Sequence, residues 1–395
     1  MIKILSVFGT RPEAIKMAPV LAELERHPDH VISRVCVTGQ HRQMLDQVLD
    51  LFGITPDYDL DVMTDGQSPT TTAAAIMAAL EPVLAAERPD WVLVQGDTTT
   101  VAAASLAAFY NGIRVGHVEA GLRTFDDHNP FPEEMNRKLT SVMADLHFCP
   151  TQSAQENLIF EGMGVDRTMI TGNTVIDALT SVAEQSYDVA SGPLAGIDFD
   201  KRVVLVTSHR RENHGEPLQN ICEAVRRIAR STDVQIVFTV HPHPRVGEVV
   251  RPMLEGIENV TLLPPLDYLP LVQLMKRSHL VLTDSGGLQE EAPSLGVPVL
   301  VLRDSTERPE GVKAGTCRLV GTSSDDIFTA AMQLLNDPSE HRLMARAVNP
   351  YGDGHAAPRI VEALLRTNAE LSGPEASVQP RDLTDISHLQ RHSVV

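Results

Sequence analysis

Four carboxylates in this chain stand where predicted strands end or helices begin, which is where acid–base chemistry is usually placed. Asp97 follows the apolar run "WVLV" in "QGDTTT", Glu119 closes "RVGHVEAG", and Glu133 and Glu134 open a helix in "PEEMNR". A carboxylate buried at a strand end is costly unless paired, so Glu119 is the hardest of them to explain by structure alone. Asp97 and Glu119 both follow strands and would meet at one sheet edge. With cations nearby, they suggest general acid–base work on a phosphate-bearing substrate. Plainer accounts exist for the others. Asp97 has the place of an ordinary N-cap, although the three threonines after it offer more hydroxyls than one cap requires. Glu133 with Arg137 and Glu134 with Lys138 are spaced as i, i+4 pairs, on a helix whose Met135, Leu139 and Val142 form an apolar face.

The cations point to an anion. In "FGTRPEAIK", Thr10 and Glu13 have capping-box spacing and Pro12 falls in the first helical turn. Arg11 and Lys16 are left over, at a helix end where the macrodipole disfavours positive charge unless an anion shares the place. The stretch is not a Walker A loop, since Ile15 precedes Lys16 and Met17 follows it, and no GxGxxG occurs. A second junction, "LTDSGGLQEEAPSLG", predicts a strand ending at Asp284 and a helix beginning near Leu288. Ser285, Gly286 and Gly287 would let backbone N–H groups approach phosphate, and Glu291 could accept from ribose hydroxyls. Its plain reading is a turn before a solvated acidic helix face. His209, Arg210 and Arg211 in "HRREN" leave another strand's carboxyl end, the edge at which open α/β sheets bind ligands. "HPHP" from His241 to Pro244 offers two imidazoles and no third ligand beside them, and Asp59 with Asp61 is a lone DxD, so no metal site is predicted.

The elements that must hold these groups alternate. "IKILSVF", "VISRVCV", "DWVLVQ" and "IRVGHVE" read as strands in the first half. "RVVLVTS", "VQIVFTV", "NVTLLPP", "HLVLTDS" and "VPVLVLR" do so in the second. Helical patterns lie between them, such as "PEAIKMAPVLAELERH" with Ile15, Ala18, Leu21 and Ala22 on one face. Such alternation predicts α/β architecture with parallel sheets covered on both sides. At 395 residues two domains are expected, divided between Gly172 and Lys201 where apolar periodicity is lost. A net charge of −19 argues against nucleic acid as a partner. The longest apolar runs read as strand-length, which excludes a membrane span, and "MIKILSV" reads as a strand rather than a signal peptide. Cys36, Cys149, Cys222 and Cys317 are scattered, as expected of free thiols in the cytoplasm. Residues from about Ser372 are polar and aperiodic, which predicts a mobile tail.

Taken together with "GHVEAGLRT" and "RDSTERPE", these motifs resemble the non-hydrolysing UDP-N-acetylglucosamine 2-epimerases of bacteria, in register from about residue 3 to residue 365. The resemblance implies two Rossmann-like doubly wound domains in GT-B architecture, residues 1–172 and 173–354, with the active site in the cleft between them. A helix over about 355–371 would pack back on the first domain, and 372–395 would be the tail. It implies interconversion of UDP-GlcNAc and UDP-ManNAc without NAD or another cofactor, through anti elimination of UDP to 2-acetamidoglucal and re-addition, and a homodimer. Asp97, Glu119 and Glu133 carry over as catalytic carboxylates, and His209 as diphosphate partner or acid. Arg11, Lys16, Leu266, Leu271, Ser285, Gly286, Gly287, Glu291 and Arg308 carry over as substrate contacts. Gln40, His41, Gln43, Arg210, Arg211 and His241 would line a second, activating UDP-GlcNAc site. The chain departs from the pattern at Gly66, where such enzymes often have arginine, and at Leu266 and Leu271, where some have Gln and Phe. A GT-B glycosyltransferase and a 2-epimerase of UDP-2,3-diacetamido sugars are the rival readings. None of the five tyrosines has lysine four residues on, which disfavours an NAD-dependent epimerase.

Overall fold

The computed structural model describes residues 1–39, 42–62 and 66–372, with the side chains of residues 42, 43, 371 and 372 left aside. Nine strands fall where the apolar runs place them: β1 (Ile2–Phe8), β2 (Val31–Val37), β4 (Trp91–Gln95) and β5 (Arg114–Val118), then β8 (Val203–Ser208), β9 (Gln235–Val240), β10 (Val260–Leu263), β11 (Ser278–Thr283) and β12 (Val299–Val301). Four more have no counterpart in the sequence reading: β3 (Tyr58–Asp59), β6 (Leu146–Cys149), β7 (Thr168–Ile170) and β13 (Cys317–Leu319). They are too short to show a period, and three of them end a sheet. Helices α1 (Arg11–Glu25), α2 (Arg42–Phe52), α3 (Pro69–Glu87), α4 (Thr99–Tyr110), α5 (Glu133–Met143), α6 (Gln152–Phe160) and α7 (Thr174–Ala183) belong to the first half. The second half holds α8 (Glu216–Ser231), α9 (Pro244–Leu254), α10 (Tyr268–Lys276), α11 (Gly286–Ser294), α12 (Pro309–Ala314), α13 (Ser324–Asn336), α14 (Pro338–Ala345) and α15 (Ala356–Ser372).

Two parallel sheets result, with strand orders β3-β2-β1-β4-β5-β6-β7 and β10-β9-β8-β11-β12-β13. Each reverses direction once, between β1 and β4 and between β8 and β11, and ligands of open α/β sheets bind beyond the strand ends at such a reversal. The strands flanking these points are almost wholly buried, as sheets covered on both faces require. This is the GT-B arrangement, two doubly wound sheets flanked by helices.

Thr10 caps α1, its hydroxyl accepting from Glu13 N–H while the Glu13 carboxylate accepts from the N–H of Thr10, so the capping box forms as expected. The buried face of α1 is wider than the predicted stripe. Ala22 is exposed, whereas Met17, Val20 and Leu24 are buried, because α7 and α15 cover α1 on the side away from its sheet. The sequence also places no apolar run above strand length, and α3 corrects this. By length and composition it is the one helix among the described residues long and apolar enough to cross a membrane, and it packs on α4 through Leu80, Val83 and Leu84.

The return of the chain in α15 is held by one carboxylate. Asp177 of α7 accepts from the N–H groups of Ala356 (3.2 Å) and Ala357 (2.8 Å), which no turn of the helix could otherwise satisfy. Asp177→Ala is expected to lower stability by about 1–2 kcal/mol, the range for losing such a cap. An unchanged urea midpoint would show that the pair does not hold α15.

Candidate active site

Glu119 lies one residue beyond β5, with its backbone in the left-handed region (φ 64°), an unusual and strained state for a residue with a side chain. Its carboxylate is buried and fully engaged. Lys16 Nζ is 2.6 Å from both oxygens, Asn173 Nδ2 donates at 3.2 Å, and Gln95 Nε2 donates as well. Burial would raise its pKa, but the charge and hydrogen bond of Lys16 and the charge of Arg308 outweigh that and hold it below the usual range. Burial likewise opposes the charge on Lys16, yet Glu119 and Glu290 hold its pKa above the ordinary value. The pairing answers the question that a strand-end carboxylate poses.

Asp97 does meet Glu119 at this sheet edge. Both line a cavity of about 240 Å³ together with Lys16, Thr98, Arg137 and Arg308. The N-cap of α4 is Thr98 rather than Asp97, which leaves the aspartate free to bind Arg137 Nη2 at 2.5 Å. Asn136 Nδ2 donates to the Asp97 carbonyl at 3.0 Å, so α5 fixes both the backbone and the side chain of Asp97.

The i, i+4 pairs expected on α5 do not form. Glu134 is buried and turned toward the preceding loop, accepting from Thr124 N–H and Phe125 N–H, and it meets Arg137 Nη1 at 3.0 Å, while Lys138 pairs with Asp127. With Glu134, Arg137, Thr140 and Ser141 facing inward, the apolar side chains Met135, Leu139 and Val142 are exposed. Glu133 lines a larger cavity of about 740 Å³ with Arg123, Arg210 and Glu307, which shares Leu122, Arg137 and Arg308 with the first.

The second sheet supplies the opposite wall. Helix α11 starts at Gly286, earlier than predicted, because the two glycines enter the helix; the Ser285 side chain makes no cap bond, so the first N–H groups stay available. Its acidic face is not solvated: Glu290 and Glu291 are both buried. Glu291 accepts from the Tyr268 hydroxyl at 2.9 Å; burial, with the neighbouring Glu290 charge, pushes its pKa up to about 7 against that hydrogen bond. Arg308 Nε meets Glu290 Oε1 at 2.5 Å. Arg11 reaches across to the carbonyl of Leu266 at 3.4 Å, whereas Leu271 packs against the hydrophobic core.

His209 is partly exposed, and its Nδ1 lies 3.0 Å from Asp284. Asp284 also accepts from Ser208 Oγ, His209 N–H, Arg210 N–H and Asn213 Nδ2. Burial opposes its charge, but His209 and these donors keep its pKa below the usual value. Arg210 pairs with Glu307 at 2.6 Å, the His241 ring stacks 6.1 Å from that of His209, and Arg211 is exposed nearby in a short 3-10 turn. Gln40 and His41 lie outside the described residues, as does the Gln43 side chain. Asp284, Glu290, Asn173, Gln95 and Arg137 are site-forming residues that sequence reasoning did not single out. Asp284, Glu290, Gln95 and Arg137 stood inside quoted motifs, while Asn173 looks from sequence like any residue before a helix.

Two reversal points facing each other, one lined by carboxylates and the other by an open helix N-terminus with arginines, define a nucleotide-sugar type of cleft. The chain belongs to the UDP-N-acetylglucosamine 2-epimerase family, whose model matches residues 22–365. It is 54% identical over 376 residues to the UDP-N-acetylglucosamine 2-epimerase of Escherichia coli (strain K12), an alignment covering 93% of this chain and 100% of that one. The UDP-GlcNAc 2-epimerase of Neisseria meningitidis, solved bound to UDP-GlcNAc, superposes with a TM-score of 0.82 at 49% identity, covering 92% of this chain and 100% of the other. That of Methanocaldococcus jannaschii, solved with UDP-GlcNAc and UDP, gives 0.77 at 35% identity, covering 92% and 99%.

Proposed function

We propose that this chain interconverts UDP-GlcNAc and UDP-ManNAc without hydrolysis and without NAD. The observation that carries the reading is Glu119, a buried carboxylate kept ionised in a cavity that also holds Asp97 and three cations. The C2–H bond of the sugar has no adjacent carbonyl to acidify it, so a carboxylate can take that proton only as the C1–O bond breaks. As C1–O cleaves, the electron pair leaves with UDP, and Arg11, Arg308 and the α11 N-terminus at Ser285, Gly286 and Gly287 stabilise the charge that develops on the diphosphate. Proton loss from C2 then gives the C1=C2 double bond of 2-acetamidoglucal. Return of a proton to the other face of C2, with re-addition of UDP at C1, inverts the centre. Two faces require two acid–base groups unless the intermediate turns over, and Glu119, Asp97 and Glu133 are the groups assigned to them. His209, held by Asp284, is assigned to the leaving diphosphate as partner or acid, and Glu291 to the ribose hydroxyls. Lys16 has two demands on it: it pairs with Glu119 and is also assigned to the diphosphate.

Activation by a second UDP-GlcNAc at Arg210, Arg211 and His241 is part of the proposal, supported by their place beside His209. So is a homodimer, supported by the exposed apolar side chains of α5 with Phe109 and Tyr110 at the end of α4. A cytoplasmic location is supported by four buried free thiols. The division into domains at 1–172 and 173–354, with α15 returning to the first, is supported by the packing of α15 on α1 and α7.

Incubation with UDP-GlcNAc alone and separation of the nucleotide sugars tests the reaction. UDP-ManNAc is the expected product; free ManNAc with UDP would mean a hydrolysing enzyme, and transfer of the sugar to an added acceptor would mean a glycosyltransferase. The role of Glu291 has its own signature. Ribose hydroxyls donate best to an ionised carboxylate, and a group titrating near 7 gains its charge as pH rises. UDP-GlcNAc should therefore bind a turnover-deficient chain about tenfold tighter at about pH 8 than at about pH 6. In Glu291→Gln that pH dependence should vanish. A flat calorimetric profile in the chain retaining Glu291 would remove it from the ribose.

A further inference from the structure

Asn173 stands where the two halves of the molecule join. Its backbone N–H donates to the carbonyl of Tyr351 at 2.7 Å, so the outgoing and returning crossovers of the chain touch at this residue. The side chain is buried and both of its polar atoms are hydrogen-bonded. Oδ1 accepts from Val175 N–H at 3.1 Å and caps α7. The two hydrogens of Nδ2 go to two different carboxylates, Glu119 Oε1 at 3.2 Å and Glu290 Oε2 at 2.9 Å. The backbone donor at Oδ1 fixes the orientation, because a flipped amide would set its oxygen against both carboxylates.

A continuous chain follows, its three middle members buried: Lys16, Glu119, Asn173, Glu290, Arg308. Each end is a cation, each carboxylate holds one cation, and a single neutral amide keeps the two like charges together. Glu119 belongs to the first half and Glu290 to the second. Neither Asn173 nor Glu290 lines either cavity of the cleft, so their effect on a ligand there passes through Glu119 and Arg308. Capping α7 requires only the Oδ1 atom, and aspartate or serine would supply it as well. The amide N–H₂ is what the cap leaves unexplained.

We propose that Asn173 is a positioning residue that ties Glu119, the acid–base carboxylate, to the Glu290–Arg308 pair of the opposite half. The inference rests on the epimerase reading above. When a diphosphate engages Lys16 and Arg308, both cations are drawn partly away from their carboxylates. Asn173 then keeps Glu119 and Glu290 from moving apart and holds the Glu119 oxygens toward the sugar. The charged groups facing Glu119 are Lys16 and Glu13 from α1, Asp97 after β4, Arg137 from α5, Glu290 from α11, and Arg308; the Asn173 and Gln95 amides and His117, which burial keeps neutral, are the uncharged polar members of this shell.

Asn173→Asp tests this, since it keeps the size of the side chain and the cap on α7 and changes only the N–H₂. Exchange of the C2 proton with solvent should slow about ten- to a hundredfold, the scale of a misplaced catalytic group. A further negative charge beside Glu119 favours its protonated form, so the acidic limb of the pH–rate profile should move up by about one pH unit. UDP binding by calorimetry should be unchanged. Glu290→Gln removes a negative charge instead, so its limb should move to lower pH, a reversal of sign that a loosened fold does not produce. If the Asn173→Asp chain does not fold, Glu290→Gln decides alone. Parental exchange and a parental acidic limb in the folded Asn173→Asp chain would overturn the inference, as would both limbs moving the same way or a Glu290→Gln limb that stays in place. Failure of the unsubstituted protein to exchange the C2 proton would instead overturn the epimerase reading on which it stands.

Discussion

Glu119→Gln is expected to slow epimerisation at least about a hundredfold while UDP still binds, the usual scale for removing an acid–base group. The substitution keeps the shape, and one amide oxygen can still accept from Lys16, but it removes the charge that pairs with Lys16 at 2.6 Å. The freed lysine then faces the diphosphate without competition. Binding of UDP should hold or tighten as turnover falls, and calorimetry beside initial rates would show this split. Near-parental turnover in the variant would remove Glu119 from proton transfer and leave it as a structural partner of Lys16.

Gly121→Ala should have the largest effect on folding. Gly121 has φ 87°, and a Cβ there would lie 2.1 Å from the carbonyl oxygen of Ala154 and 2.7 Å from its carbon. The clash is with the backbone of α6, so no rotamer relieves it. The left-handed conformation costs about 1–2 kcal/mol in a residue with a side chain, and forced displacement of packed structure about 1–3 kcal/mol more. Activity should fall with stability, because Gly121 ends the turn that begins at Glu119. A variant whose unfolding midpoint matches the parent's would show that α6 can retreat and that the turn tolerates it.

How much of this was legible in the sequence depended on how local the cause was. The capping box of Thr10 and Glu13, the start of α1, and the meeting of Asp97 with Glu119 all follow from strand–turn–helix patterns within a few residues, whereas α11 begins two residues before its predicted start. The short strands β3, β6, β7 and β13 did not show, because so short a stretch carries no period. The orientation of α5 was also hidden: its apolar spacing suggested an inward face, but loop N–H groups draw Glu134 inward and turn that face outward. Least legible were pairs made by topology. Asn173 and Glu290 are 117 residues apart and Arg11 and Leu266 are 255 apart, and no pattern in either neighbourhood announces the other.

The central claim, that carboxylates of this cleft move the C2 proton, is tested most directly by proton NMR of the protein with UDP-GlcNAc in D₂O without NAD. The account predicts UDP-ManNAc carrying deuterium at C2, with the same label entering the UDP-GlcNAc pool, and neither forming with Glu119→Gln. UDP-ManNAc that retains its original C2 proton, or free ManNAc released with UDP, would contradict it.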